Sequence, residues 1–231
     1  MRYSNICPGT FLVRPNRFIA HVEVEGEVQV CHVKNTGRCR ELLVPGARVY
    51  LTESDNPARK TRYDLVAVEK ETPQGKLLVN MDSQVPNKVF GEWAQSGGFR
   101  QGLTLLRPET PWGSSRFDYY WESDTGEKGF VEIKGVTLEH DGVVRFPDAP
   151  TTRGIKHLEE LIAAREAGHE AAVCFVVQME GMVHLEPNDT THPEFGAALR
   201  KAANAGVEVL AMECRVTPDS LEILRPIPVR L

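Results

Sequence analysis

The sequence predicts an α+β protein in two parts, a small β-barrel followed by a mixed α/β domain. Three observations carry this. Residues 10–81 are short apolar/polar alternations broken by turns, with almost no helix signal. The texture changes near Pro86, where the first helical pattern begins. Further on, an amphipathic run is followed by the nearly all-apolar stretch AAVCFVVQ, as expected for a strand covered on both faces.

The elements follow in order. FLVRPNRFIAHVEV leads through Glu25-Gly26-Glu27 into VQVCHV, which reads as a hairpin. Asn35-Thr36-Gly37 and Pro45-Gly46 mark further turns. ARVYLTE, RYDLVAVE and KLLVNMD are short β-type runs, separated by a polar loop at Asn56-Pro57 and a turn at Thr72-Pro73-Gln74-Gly75. About five strands in so short a span suggest a closed barrel such as the OB-fold, with an SH3-like barrel as the rival. VPNKVFGEWAQSGG predicts a helix with Pro86 near its start and Gly97-Gly98 at its end, and a Pro/Gly-rich loop then runs to Ser115. RFDYYWES and KGFVEIKGVTLE read as a hairpin turning at Asp124-Thr125-Gly126, and VVRFP as a short strand. RGIKHLEELIAAREAG predicts a helix capped by Thr152, with Ile155, Leu158, Leu161 and Ile162 on one face and Gly168 past its end. A last helix spans about Pro193–Ala205, and VEVLAMECRVT and SLEILRPIPV close the chain as strands. The expected domains are residues 1–84 and 85–231.

The bulk numbers narrow the class. The chain has 231 residues, 41% hydrophobic and 26% charged, enough to bury a core without staples. MRYSNICPGTFLVRPNRF holds no continuous apolar run, so neither a signal peptide nor a membrane anchor is expected, and the protein should be cytoplasmic. Five scattered cysteines without a C-x-x-C disfavour both a disulfide framework and a zinc site. The net charge of −5 argues against a protein that coats DNA, which would be basic. The charge is uneven: residues 1–85 hold 12 basic and 10 acidic side chains, the remainder 15 and 22. An acidic second half suits carboxylates gathered for a metal, although a solvated surface gives the same count. Phosphate-loop, dinucleotide and nucleophile-elbow motifs are missing from the sequence.

The candidate chemistry lies between two predicted strands. Asp118 stands in Ser-Arg-Phe-Asp-Tyr-Tyr, and Glu132-Ile133-Lys134 follows in the next strand. Alternation puts Glu132 and Lys134 on one face and Val131 and Ile133 on the other. Two converging carboxylates without Cys or His make a hard oxygen site suited to Mg²⁺ or Mn²⁺, with the Ile133 backbone carbonyl as a third oxygen. Lys134 would hold the attacking water and stabilise phosphate charge, so the layout suits phosphodiester hydrolysis. Read blandly, Glu132 and Lys134 are a solvated pair. Glu92, in the first helix, is a further candidate metal carboxylate. Arg153 and His157, at i and i+4 with Lys156 beside them, are candidate phosphate contacts at a helix start. Arg14, Arg17, Lys34, Asn35, Thr36, Arg38 and Arg40 cluster with Phe11 and Phe18, a composition that suits nucleic-acid binding on a barrel.

Longer motifs then carry a resemblance. They are Arg14-x-x-Arg17-Phe18, His32-x-x-Asn35-Thr36-Gly37-Arg38, Val85-Pro86-Asn87, Ser115-Arg116-Phe117-Asp118, Phe130-Val131-Glu132-Ile133-Lys134-Gly135-Val136-Thr137, and the run from Phe146 to Leu158. Over essentially its full length the chain resembles the sugar fermentation stimulation (SfsA) family. The resemblance implies an N-terminal OB-fold and a C-terminal PD-(D/E)xK nuclease-like domain. It implies Asp118 and Glu132 as metal carboxylates and Lys134 as the catalytic lysine, with Phe117 standing where the wider nuclease pattern has proline. It also implies a DNA-binding protein linked to regulation of sugar (maltose) metabolism. The expectation is a Mg²⁺- or Mn²⁺-dependent nuclease acting on DNA or RNA, the alternative being a non-catalytic DNA-binding regulator on the same fold.

Overall fold

The computed structural model describes residues 1–231 apart from Thr36 and Pro57. Six strands form the first sheet: β1 (Ile6–Asn16), β2 (Ile19–Val24), β3 (Glu27–Val33), β4 (Arg48–Glu53), β5 (Tyr63–Thr72) and β6 (Gly75–Asn80). The first apolar run is two strands, because Asn16 Oδ1 accepts the Phe18 and Ile19 amides and turns the chain at Arg17-Phe18. β1 pairs with β2 and β4, β2 with β3, and β4 with β5, all antiparallel. A parallel β3–β5 pair then closes a five-stranded ring, and β6 lies outside it on β5. This closure is that of an OB-fold barrel. The buried Phe11, Val22, Cys31, Leu51 and Leu65 fill it.

The second six-stranded sheet runs β7-β8-β9-β12-β14-β15. β7 (Leu103–Trp112), β8 (Ser115–Ser123) and β9 (Lys128–Val136) form an antiparallel meander. β12 (Glu170–Val177) lies parallel between β9 and β14 (Glu208–Thr217), and β15 (Ser220–Pro226) returns antiparallel. The supposed loop before Ser115 is therefore strand β7. Its Pro108 and Pro111 obscured it in the sequence, and they are tolerated because β7 is the sheet edge and pairs only with β8.

Helices cover both faces of this sheet. α1 (Val85–Gln95) packs on one face against Val131, Ile133, Cys174 and Val176. α2 (Thr152–Glu166) and α3 (Pro193–Asn204) pack on the other, against Phe130, Val173 and Phe175. The N-cap of α2 is Thr151 rather than Thr152: its hydroxyl accepts the Gly154 amide at 3.0 Å. Gly168 follows the helix with φ +84°, the left-handed position that favours glycine. β10 (Glu139–His140), β11 (Val143–Phe146) and β13 (His184–Pro187) make a third small sheet.

Residues Met1–Tyr3 run along the second sheet, where Arg2 bridges Ser220. The two large sheets meet through buried polar groups. Gln178 Nε2, just past β12, donates to Asn80 Oδ1 and to the Asp82 carbonyl, while Lys70 of the barrel pairs with Glu139 of the small third sheet. All five cysteines are free. Among the described residues, no helix is long and apolar enough to cross a membrane.

Candidate metal and phosphate site

β8 and β9 pair from Tyr119–Val131 toward their shared turn, and Asp118 lies one residue beyond the last pair. There its side chain replaces the ladder. Asp118 Oδ2 accepts the Ile133 amide at 2.6 Å, and Oδ1 accepts Asn87 Nδ2 from α1 at 2.7 Å. Burial, then the charge of Glu132, pushes the Asp118 carboxyl up to about 6.

Glu132 is 3% exposed. It shares the α2 side of β9 with Lys134, while Val131 and Ile133 enter the core beneath α1, as alternation predicts. One oxygen, Oε1, accepts Lys134 Nζ at 2.6 Å and also bonds His157 Nδ1. The other, Oε2, is buried with no hydrogen-bond partner. Burial works to raise this carboxyl, but the His157 hydrogen bond and the Lys134 charge outweigh it and hold it below the usual range.

His157 is buried rather than presented to solvent. Arg153 Nε donates to its Nε2 at 3.3 Å, and arginine has no acceptor, so Nε2 is the accepting nitrogen. Nδ1 therefore carries the hydrogen and donates it to Glu132. Both ring nitrogens of His157 are therefore engaged within the protein, one by Arg153 and the other by the Glu132 carboxylate, whereas the sequence reading put the ring on a solvent-facing helix surface. The capping of the Gly154 amide by Thr151 likewise takes one of the helix-start amides expected to face phosphate.

A cleft of about 470 Å³ opens at Asp118 and His157, lined by Arg116, Arg153, Lys156 and Glu109, and Glu109 pairs with Arg116 at 3.2 Å. Asn87 and Arg116 were visible in the sequence only as members of motifs, because their roles depend on α1 and β8 meeting. Glu92 is not part of this site. It is half-exposed and pairs with the Met1 amino group at 2.5 Å. α1 instead presents Asn87, held by the Tyr119 hydroxyl, which donates to the Asn87 carbonyl at 2.9 Å.

The arginine-rich cluster of the barrel divides. Arg14 donates to the carbonyls of Arg17, Asn35, Gly37 and Arg38 at 2.6–2.8 Å, so its guanidinium shapes the loop. Lys34 bridges Asp64 and Asp82 at 3.6 and 3.3 Å, and Asn35 bonds the Met81 carbonyl and the Gly37 amide. Arg17, Arg38 and Arg40 face solvent. Phe11 is core, whereas Phe18 is 51% exposed beneath the Arg17 guanidinium. Thr36 lies outside the described residues.

Whether the site fits a divalent cation turns on its donors. Among the described residues, no three His, Cys, Asp or Glu side chains gather in a way that could hold a metal ion. Asp118 and Glu132 supply two carboxylates, and a buried oxygen of Glu132 is left unpartnered. A site with one or two carboxylates, completed by water and substrate phosphate, is the usual arrangement for Mg²⁺. The residues present fit such an ion.

Comparison with known proteins agrees with the fold. Residues 12–80 match the family model described as the SfsA N-terminal OB domain, and residues 84–220 match the sugar fermentation stimulation protein RE domain. A sugar fermentation stimulation protein homolog from Clostridium beijerinckii is 52% identical over 96% of both chains. One from Desulfitobacterium hafniense is 55% identical over 96% of this chain and 95% of its own. A solved structure of Pyrococcus furiosus SfsA in complex with Ca²⁺ is 27% identical, with a TM-score of 0.88 over 100% of this chain and 98% of that one. The chain belongs to the sugar fermentation stimulation protein family, with an N-terminal OB-fold joined to a PD-(D/E)xK nuclease-like domain.

Proposed function

We propose that this protein is a divalent-metal-dependent nuclease that hydrolyses phosphodiester bonds in DNA or RNA. The observation that carries the reading is Glu132. Its carboxylate is buried and ionised, yet one oxygen has no partner. An unpaired buried oxygen is costly unless a ligand satisfies it, and a cation beside Asp118 would do so. The Ca²⁺ complex of the Pyrococcus furiosus relative supports divalent-cation use. Mg²⁺ or Mn²⁺ is the ion we assign here.

The division of labour follows the chain. Residues 1–84 hold the nucleic acid and residues 85–231 carry the chemistry. Asp118 and Glu132 would hold the ion, with the Ile133 carbonyl as a further oxygen. When bound, the ion supplies a lowered pKa for water and neutralises charge developing on the phosphoryl oxygens. Lys134, on the same strand face, orients the attacking water and donates to a phosphate oxygen. His157 and Lys134 together fix Glu132 Oε1, so that Oε2 keeps one direction. Arg116, Arg153 and Lys156 bind the phosphates on either side of the bond that is cut. We place the protein in the cytoplasm, where five free thiols stay reduced.

The test is incubation of purified protein with labelled single- and double-stranded DNA and RNA, in Mg²⁺, Mn²⁺ or EDTA. The proposal expects metal-dependent cleavage that Glu132→Ala with Lys134→Ala abolishes. Nucleic-acid binding without cleavage, unchanged in that variant, would leave a non-catalytic DNA-binding protein.

A further inference from the structure

A second concavity, of about 620 Å³, lies on the barrel between β1, the turn at Asn16-Arg17 and the 37–45 loop. Its volume is within the range of ligand-binding clefts. Its surfaces differ in kind. Leu12, Leu43 and Pro45 offer an apolar floor, while Arg17, Arg38 and Arg40 bring cations to it. No carboxylate lines it among the described residues. The walls are set in advance, because Arg14 ties the carbonyl of Arg17 on one side to those of Asn35, Gly37 and Arg38 on the other. Val13 adds exposed apolar surface to the lining, and the surface continues outside the groove at Phe18, which is 51% exposed. At one end the lining includes Ala149, four residues before Arg153 of the metal-site cleft.

This combination selects among polyanions. A duplex presents phosphates outward and keeps its base faces stacked inside, so an apolar floor gains nothing from it. An acidic peptide would use the arginines and leave the floor uncovered. An unpaired strand supplies both partners, since flat base faces bury apolar surface and guanidinium groups take the phosphates or stack on the bases.

We propose that this groove binds unpaired nucleotides of a single-stranded nucleic acid and leads the strand toward the Asp118–Glu132 cleft. The bases lie on Leu12, Leu43 and Pro45, and the phosphates meet Arg17, Arg38 and Arg40. The direction of the strand rests on the nuclease reading, whereas the choice of an unpaired strand rests on the groove alone.

Binding is measured by fluorescence anisotropy in EDTA, where no metal-dependent cleavage occurs. The probes are a labelled oligo(dT) and a hairpin duplex of equal nucleotide number, each titrated at several salt concentrations. Wild type is expected to prefer oligo(dT) about tenfold or more. Two single-strand phosphate contacts are lost in Arg38→Ala with Arg40→Ala, so its log–log salt slope should flatten by roughly 1.4. Pro45→Glu, a solvent-exposed change that puts a carboxylate on the floor, should weaken oligo(dT) binding by an order of magnitude with an unchanged melting temperature. Preference for the duplex, equal losses on both probes, or tighter capture of poly-glutamate than of oligo(dT) would overturn the proposal. If this binding pattern holds and no cleavage occurs with Mg²⁺ or Mn²⁺, only the nuclease reading fails. Cleavage without single-strand preference sinks the groove alone.

Discussion

At the scale of single residues, the site depends on how Glu132 uses its two oxygens. Oε1 is committed to Lys134 and His157, and Oε2 is unpartnered. His157→Ala frees Oε1 on one side and lets the carboxylate rotate. Loss of a group that orients a metal ligand typically costs 10–100-fold in metal affinity, and that loss is expected here in a Mn²⁺ titration. His157→Asn keeps a donor near the Nδ1 position and should recover most of the affinity. Unchanged Mn²⁺ affinity in the alanine variant would show that His157 does not position Glu132. The shared face of Glu132 and Lys134 was legible because strand alternation decides it, and the approach of Asp118 to β9 follows from the pairing of β8 with β9. His157 was not legible, since α2 periodicity placed it opposite the apolar stripe. It is buried because the sheet face beneath it carries a carboxylate, which no local pattern reveals. Arg14 misled in the same way: a basic residue in a basic cluster reads as a phosphate contact, and only the returning loop shows its guanidinium held by four carbonyls.

At the scale of elements, the readings that held rest on local signals. The parallel run AAVCFVVQ is covered on both faces, and Gly126 turns the β8–β9 hairpin with φ +85°. β7 failed as a reading because proline content signals a loop unless the strand is known to be an edge. The α2 cap shifted by one residue because Thr151 and Thr152 are equally good caps in sequence, and only the bond to the Gly154 amide decides between them. α1 shows most clearly what packing adds. A Cβ on Gly91 would come within 2.5 Å of the Tyr119 hydroxyl, so glycine lets the helix approach β8 closely. That approach brings Asn87 to Asp118, and it leaves Glu92 with the amino terminus. The sequence located a helix beside the site, but which of its side chains reached the site was set by the docking angle.

At the scale of the whole molecule, barrel and nuclease-like domain are joined by buried polar groups, and these predict a pH response. Burial works to raise the Glu139 carboxyl, but hydrogen bonds from Lys70 and the Gly142 amide outweigh it and hold it below the usual range. A depressed carboxyl contributes stability above its unfolded pKa of about 4.3 and loses it as pH falls through the lower folded value. Glu139→Gln should therefore be less stable than wild type in urea at pH 7, and the difference should shrink below about pH 4. A difference that stays constant with pH would contradict the assignment. The acidic net charge is compatible with the proposed nucleic-acid contact. Asp64 and Asp82 are buried against Lys34, while Arg17, Arg38 and Arg40 face solvent on the barrel and Arg116, Arg153 and Lys156 line the cleft. In the proposed function, Glu132 keeps an oxygen for a cation shared with Asp118. Anomalous diffraction from Mn²⁺-soaked crystals tests it most directly. A peak is expected roughly 2.0–2.2 Å from Glu132 Oε2 and from an Asp118 oxygen, absent in Glu132→Gln. A fully occupied Mn²⁺ elsewhere, with none between these two carboxylates, would contradict it.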